Sequence, residues 1–149
     1  MYFESQQTIS IETERYGTLT LHRYSDCFEG KALWNGSLID VAFTVSDDVD
    51  VASQLKISDA LFDDSWAWAE KVSAYAVQQN LGLANDWQEV GAAAITEEEF
   101  LRRLKLTSIS IGIDGRFEFY HDDGDLFYGH CIIISGSLTD GVDDSQLFG

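Results

Sequence analysis

The chain carries the segment Phe117-Glu118-Phe119-Tyr120-His121-Asp122-Asp123-Gly124-Asp125 and, a few residues later, His130-Cys131-Ile132-Ile133-Ile134. The first four residues mix aromatic and polar side chains, which is typical of a strand. Asp-Gly is a common turn pair. The isoleucine run is apolar on both faces and indicates a central strand of a sheet. This part of the chain therefore predicts a strand, an acidic turn and a buried strand.

Upstream residues extend the same sheet. Leu106–Ile113 alternates between apolar and polar residues, and Asp114-Gly115 predicts the turn that leads into Phe117. The first third of the chain also alternates in period two, with turn residues Tyr16-Gly17 and Trp34-Asn35-Gly36 between its strands. Asn-Gly is the pair that a tight type I′ hairpin requires. We expect an antiparallel meander of three or four strands, including Thr8–Ile11, Thr18–His22 and Leu38–Val45.

The middle of the chain has a helical period from about Asp50 to Asn80. Asp63-Asp64-Ser65 is suited to cap a second helix there, and Thr96-Glu97-Glu98-Glu99 is a capping box that predicts a short helix ending near Lys105. The order of strands, helices and strands predicts one α+β domain over residues 1–149. We expect an antiparallel sheet, made of the N-terminal meander and C-terminal hairpin strands, with two or three helices on one face.

Composition limits the possible functions. The chain has 26 Asp and Glu residues against 9 Lys and Arg, a net charge of −17. Such a chain is unsuited to bind nucleic acid or an anionic membrane surface directly, since both need clustered cations. Seven acidic residues and no Lys or Arg follow Arg116. A surface of one sign attracts a basic protein, although the acidity is equally compatible with a role in solubility or a high-salt habitat.

The two cysteines, Cys27 and Cys131, do not make a disulfide framework or a zinc motif. We expect both to be small core residues. Residues 1–7 lack the basic and apolar regions of a signal peptide, so a cytoplasmic location is expected. The sequence has no Gly-x-Ser-x-Gly elbow and no phosphate-binding glycine loop. We therefore predict no catalytic residues and no cofactor.

The acidic loop admits three interpretations. In the first, it is a structural turn whose carboxylates accept hydrogen bonds from nearby amides. In the second, it is a metal site, because closely spaced carboxylates and imidazoles are metal ligands. In the third, the carboxyl groups perform acid–base catalysis. The residues available for a metal would be His121, Asp122, Asp123, Asp125 and His130.

Trp66 and Trp68 lie about 200° apart on a helix, so only one of them can face the core squarely. The other is available to a partner, for which Trp is a favoured anchor. The sequence-based candidates for a binding surface are Trp66, Asp122, Asp123, Asp125 and Tyr128.

Seven segments of the chain carry a family resemblance: Trp34-Asn35-Gly36, Leu83–Trp87, Thr96–Phe100, Leu104–Ile109, Phe117–His130, Ile132–Gly136 and Asp144–Gly149. Together they resemble a bacterial family known as domain of unknown function 2262. Tyr128 stands where the resemblance leads us to expect Trp, and Cys131 where a small or β-branched residue is usual. The resemblance implies a bacterial origin and no established activity.

Small acidic α+β domains also occur among immunity proteins of bacterial toxin systems, an analogy at the level of fold and charge. We therefore expect a protein that acts by binding a basic partner such as a toxin or nuclease. One alternative is a metal-dependent hydrolase centred on the acidic loop. Another is a homodimeric domain without catalytic activity.

Overall fold

Three helices and a mixed sheet make up the described part of the chain, residues 9–22, 24 and 26–149 of the computed structural model. Thr8 of the first predicted strand and residues 1–7, considered above for a leader, lie outside the described residues. The sheet order is β1 to β8 in chain order. The elements are β1 Ser10–Thr13, β2 Gly17–His22, β3 Cys27–Trp34, β4 Ser37–Thr44, α1 Val51–Asp63, α2 Ser65–Asp86, α3 Glu97–Arg103, β5 Lys105–Ile111, β6 Phe117–Asp122, β7 Cys131–Ser137 and β8 Gly141–Phe148.

The predicted α+β class is confirmed, and the sheet departs from an antiparallel one at a single pair. β4 and β5 run parallel, with Asp40–Phe43 opposite Ser108–Ile111. A parallel pair needs a long crossover connection, and all three helices lie within this one. The buried side chain of Gln54 ties α1 to the ends of both parallel strands, because its amide donates hydrogen bonds to the carbonyl oxygens of Thr44, the last residue of β4, and Gly112, which follows β5.

The N-terminal meander is confirmed and has four strands. Asn35 and Gly36 join β3 to β4 with φ angles of 49° and 89°, the two positive values that a type I′ turn requires. The sequence pattern does not single out β3 or β8 as strands. β8 is polar over much of its length, and its identity as a strand comes from its pairing with β7.

Alternate strand residues and one side of each helix form a continuous core. Trp68 packs edge-to-face on Phe117 with ring centroids 5.2 Å apart, and only 8% of Trp68 is exposed. Trp66 is 74% exposed. This confirms that only one of the two tryptophans faces the core. At the far end of α2, the Asn80 amide donates to Ser145 Oγ at 2.9 Å and so ties the helix to β8.

Two features of the sequence prediction need correction. The second helix does begin after Asp64, but the Asp64 side chain makes no capping hydrogen bond, and Asp63 binds Arg15 instead. Cys27 and Cys131 are half-buried and not in the core, because the strand alternation turns their neighbours inward. The cap of the short helix is confirmed, since Thr96 Oγ1 accepts the Glu99 amide at 3.1 Å; that helix ends at Arg103.

No described helix has the length and apolar character needed to cross a membrane.

We expect Gly36→Ala to lower the free energy of unfolding by about 1–2 kcal/mol, because alanine is strained at positive φ. Gly82→Ala is the matched control. Gly82 lies inside α2 with open space around its missing Cβ, so alanine there should stabilise the protein by about 0.5–1 kcal/mol. Urea denaturation measures the free energy of unfolding of both variants. Destabilisation by both would contradict the positive φ at Gly36 and the open space at Gly82 as the causes of the two effects.

Candidate functional site

The loop between β6 and β7 is built around the carboxylate of Asp123. Asp123 is only 1% exposed. Its Oδ2 accepts the amides of Phe127 at 2.9 Å, His130 at 3.0 Å and Gly129 at 3.1 Å, and its Oδ1 accepts the amide of Asp125 at 3.0 Å. One side chain therefore satisfies four backbone donors. This geometry matches the structural-turn interpretation of the acidic segment.

The flanking carboxylates differ from Asp123 in burial and in partners. Asp122 is exposed and its Oδ1 accepts the Gly124 amide at 3.1 Å, as in an ordinary Asx turn. Asp125 is also exposed, and its carboxylate accepts no hydrogen bond in the described part of the chain. Asp125 is therefore available to an external group.

The loop backbone adopts an unusual conformation. Gly124, Asp125, Tyr128 and Gly129 have φ angles of 54°, 64°, 58° and 91°. A non-glycine residue in this region costs of order 1–3 kcal/mol, and such residues persist only where the surroundings impose them. Two of the four are not glycine. The hydrogen bonds to Asp123 supply that constraint, and strain of this kind is frequent at ligand-binding sites.

A second constraint fastens the loop to α3. The Arg103 guanidinium donates two hydrogen bonds to the carbonyl oxygen of Gly124, from Nε at 2.9 Å and Nη2 at 2.7 Å. A side chain at position 124 would collide with the Arg103 carbonyl group, so the close approach requires glycine there. The loop is thus held from inside by Asp123 and from outside by Arg103.

Tyr128 projects from this loop onto Trp87, the residue that follows α2. The two rings are stacked with an interplanar angle of 17° and centroids 6.3 Å apart. The Tyr128 hydroxyl donates to the Trp87 carbonyl oxygen at 2.8 Å, and Tyr128 is 67% exposed. Phe127 and His130 contact Trp87 edge-to-face at 5.2 Å and 5.4 Å. Three loop residues therefore fix the orientation of one indole ring.

A pocket of about 300 Å³ lies beside this aromatic pair. Its lining includes Trp87 and Tyr128, the acidic residues Glu89 and Asp125, and Arg103, whose guanidinium donates two hydrogen bonds to the Gly124 carbonyl oxygen. The carbonyl group does not neutralise Arg103, but the two carboxylates outnumber this one positive charge. Aromatic faces and carboxylates together suit a cationic group, because ring quadrupoles and negative charges both attract it. We refer to Trp87, Glu89, Asp125 and Tyr128 as the loop pocket.

His121 lies apart from the loop carboxylates, on the core side of β6. It is buried and its Nδ1 is 3.2 Å from the Ile132 carbonyl oxygen. Burial lowers the pKa of His121 to about 4, so the imidazole is neutral at physiological pH. His130 instead packs on Trp87, and its Nδ1 contacts the Phe127 carbonyl oxygen.

The metal interpretation does not match this arrangement. Asp123 is already used by four amides, and the five proposed ligands do not converge. Among residues 9–22, 24 and 26–149, no three His, Cys, Asp or Glu side chains lie close enough together to hold a metal ion. Trp66 is likewise not brought to the loop pocket; it lines a separate cleft.

Sequence reasoning missed Trp87 and Glu89 as members of the site. Trp87 precedes Tyr128 by 41 residues, and only the packing of α2 against β7 and β8 brings the residues after α2 beside the loop. A usable signal existed for Trp87, which belongs to one of the segments that carry the family resemblance.

The geometry defines an α+β protein with a rigid acidic and aromatic loop beside its helical layer. Residues 13–147 match the family described as an uncharacterised protein conserved in bacteria, DUF2262, and the chain belongs to this family. No curated protein and no solved structure matches the chain significantly.

We expect Asp123→Ala to destabilise the protein by roughly 3 kcal/mol or more, since several buried amides lose their acceptor at about 1–3 kcal/mol each. Asp122→Ala should cost about 0.5–2 kcal/mol, as for other side chains that cap amides. Asp125→Asn is the matched control, because asparagine tolerates positive φ as aspartate does, and it should change stability by less than about 0.5 kcal/mol. Denaturant titration gives the free energy of unfolding of each of the three variants. An equal loss of stability in the Asp123 and Asp125 variants would contradict the structure.

The depressed pKa of His121 predicts a loss of stability in acid. The unfolded chain takes up a proton near pH 6.5, whereas the folded protein does so only near pH 4. Stability contributed by the neutral imidazole is therefore complete above pH 6.5 and is lost as the pH falls, by roughly 3 kcal/mol at pH 4. The free energy of unfolding of wild type minus that of His121→Gln should fall over this interval. Comparing the two proteins cancels the shared effect of net charge, and a pH-independent difference would contradict the burial of His121.

Proposed function

We propose that this protein acts by binding a basic protein, and that a lysine or arginine side chain of the partner enters the loop pocket. The observation that supports this most directly is that the loop pocket combines two aromatic rings with two acidic residues. Asp125 and Tyr128 lie on the loop that Asp123 and Arg103 hold in place, and Trp87 and Glu89 follow α2. Neither Glu89 nor Asp125 forms a salt bridge within the described residues. Their charges are therefore available to a partner.

Long-range electrostatics support the same partner. The chain carries a net charge of −17, which steers a basic protein toward it and accelerates association. Each exposed ion pair contributes little to the free energy of binding, typically up to about 1 kcal/mol. A cation placed over the aromatic rings adds about 0.5–2 kcal/mol, depending on how far it is desolvated. Specificity therefore depends on the pocket, and the distributed charge mainly sets the association rate.

The rigidity of the loop also supports a binding role. A loop that is already ordered pays less conformational entropy when a partner docks. The four hydrogen bonds that backbone amides donate to Asp123, together with the Arg103 contact, give this preorganisation before any partner arrives. Tyr128, held by its hydroxyl group and by stacking on Trp87, has the rigid and amphipathic character of a binding anchor.

In its concrete form, the proposal is an inhibitor or immunity-type protein that neutralises a basic toxin or nuclease. Enzymes that act on nucleic acid carry clustered cations, and an acidic protein competes for that surface. The comparison with immunity proteins is an analogy of fold and charge. Binding of a second copy through this pocket is disfavoured, because it would bring together like charges.

The test begins with a partner captured from a lysate of the source bacterium and then purified. Titration of that partner against wild type should show affinity falling at least tenfold between 50 and 300 mM salt, because exposed charges are screened. Tyr128→Ala and Asp125→Asn should each weaken binding, and the double variant should weaken it by more than tenfold.

Asp140→Asn is the matched control. Asp140 carries the same charge in the turn between β7 and β8, away from the loop pocket, and its loss should change affinity less than twofold. Thermal melts establish that each variant is folded. Binding that is indifferent to salt and equal in the double variant and Asp140→Asn would contradict the proposal.

A further inference from the structure

A second cleft opens where the two parallel strands separate. β4 and β5 pair only from Asp40 to Phe43 and from Ser108 to Ile111, and β5 is irregular against β6 between Leu106 and Ser108. The starts of β4 and β5 are therefore not joined by the ladder, and α2 and α3 flank the gap. The resulting cleft has a volume of about 510 Å³, within the range of sites for small molecules.

The charge of this cleft is opposite to that of the protein. Acidic residues make up 26 of 149 in the chain, yet the 17 described residues that line the cleft include no Asp or Glu. They include three of the nine basic residues, Arg102, Arg103 and Lys105. The chain has almost three acidic residues for each basic one, yet the cleft is lined by basic residues and by no acidic residue among those described. This local excess of positive charge favours a negatively charged ligand.

Two of these cations are available to bind such a ligand. Arg103 is occupied by the Gly124 carbonyl group, but Arg102 has only an exposed contact with Glu99 at 3.7 Å. Lys105 forms no salt bridge in the part of the chain that the structure describes, although Asp122 is its partner in the strand register. Both side chains are exposed, and an exposed ion pair or a cross-strand carboxylate holds such a cation by no more than about 1 kcal/mol, so both remain available to an incoming anion.

The rest of the cleft is apolar. Trp66 and Leu38, which are 74% and 63% exposed, lie at its rim. Val72 and Phe119 are buried and line the interior. A ligand with an apolar body would remove these surfaces from water while its charged group remains beside Arg102 and Lys105.

We propose that this cleft binds an organic anion, namely a carboxylate that carries an apolar body. The site is separate from the loop pocket and does not depend on the proposed function. The cleft is proposed to bind an anion, whereas the loop pocket is proposed to bind a cation. Each site can therefore be tested without the ligand of the other site.

The experiment uses three eight-carbon probes that differ in the head group: octanoate, octanol and octylammonium. Calorimetric titration into the full chain at low salt gives the affinities. Octanoate should bind saturably, octanol at least tenfold more weakly, and octylammonium no better than octanol. Shifts of backbone amide resonances for the rim residues locate the binding site.

Variants separate the contributions of charge and apolar surface. Arg102→Gln combined with Lys105→Gln should weaken octanoate at least tenfold and leave octanol unchanged, whereas Leu38→Asp should weaken both. Lys56→Gln, on the exposed surface of α1, is the matched charge control and should leave octanoate binding unchanged. Absence of saturable octanoate binding, preference for octylammonium, or equal loss in Lys56→Gln and the double variant would overturn the proposal.

Discussion

The carboxylate of Asp123 accepts four backbone amides, and the arrangement of the candidate site depends on it. These bonds keep Asp125 and Tyr128 in a backbone conformation that neither residue favours alone. That conformation presents one carboxylate to solvent and stacks one phenol ring on Trp87. A buried carboxylate without partners would be very costly, so the amides and Asp123 stabilise each other.

Arg103 connects the two surfaces that the structure suggests as binding sites. Its guanidinium holds the acidic loop through Gly124, and the residue lines both the loop pocket and the cleft between β4 and β5. α3 therefore separates an acidic, aromatic pocket from a basic, apolar cleft. The crossover that makes β4 and β5 parallel creates this division, because it places α2 and α3 beside the starts of the two strands.

Sequence reasoning succeeded where local chemistry decides the structure. Asn35-Gly36 is suited to one tight turn, Thr96 to a helix cap, and the 200° between Trp66 and Trp68 requires one of them to be exposed. Sequence reasoning failed where the structure depends on contacts between residues that are far apart in the chain. The parallel pairing of β4 and β5 depends on where the chain returns after 60 residues. Which of three neighbouring aspartates turns inward depends on the left-handed residues of the loop, Gly124, Asp125, Tyr128 and Gly129. Trp87 joins the loop only through the path of α2.

Hydrogen exchange of individual backbone amides tests the central role of Asp123 most directly. The amides of Phe127, Gly129 and His130 lie in a loop, yet our account predicts that they exchange as slowly as those of β6 and β7, because a buried carboxylate holds them. In Asp123→Asn, protection of these amides should fall while that of the β6 and β7 amides persists. Rapid exchange of the three loop amides in the wild-type protein would contradict the account.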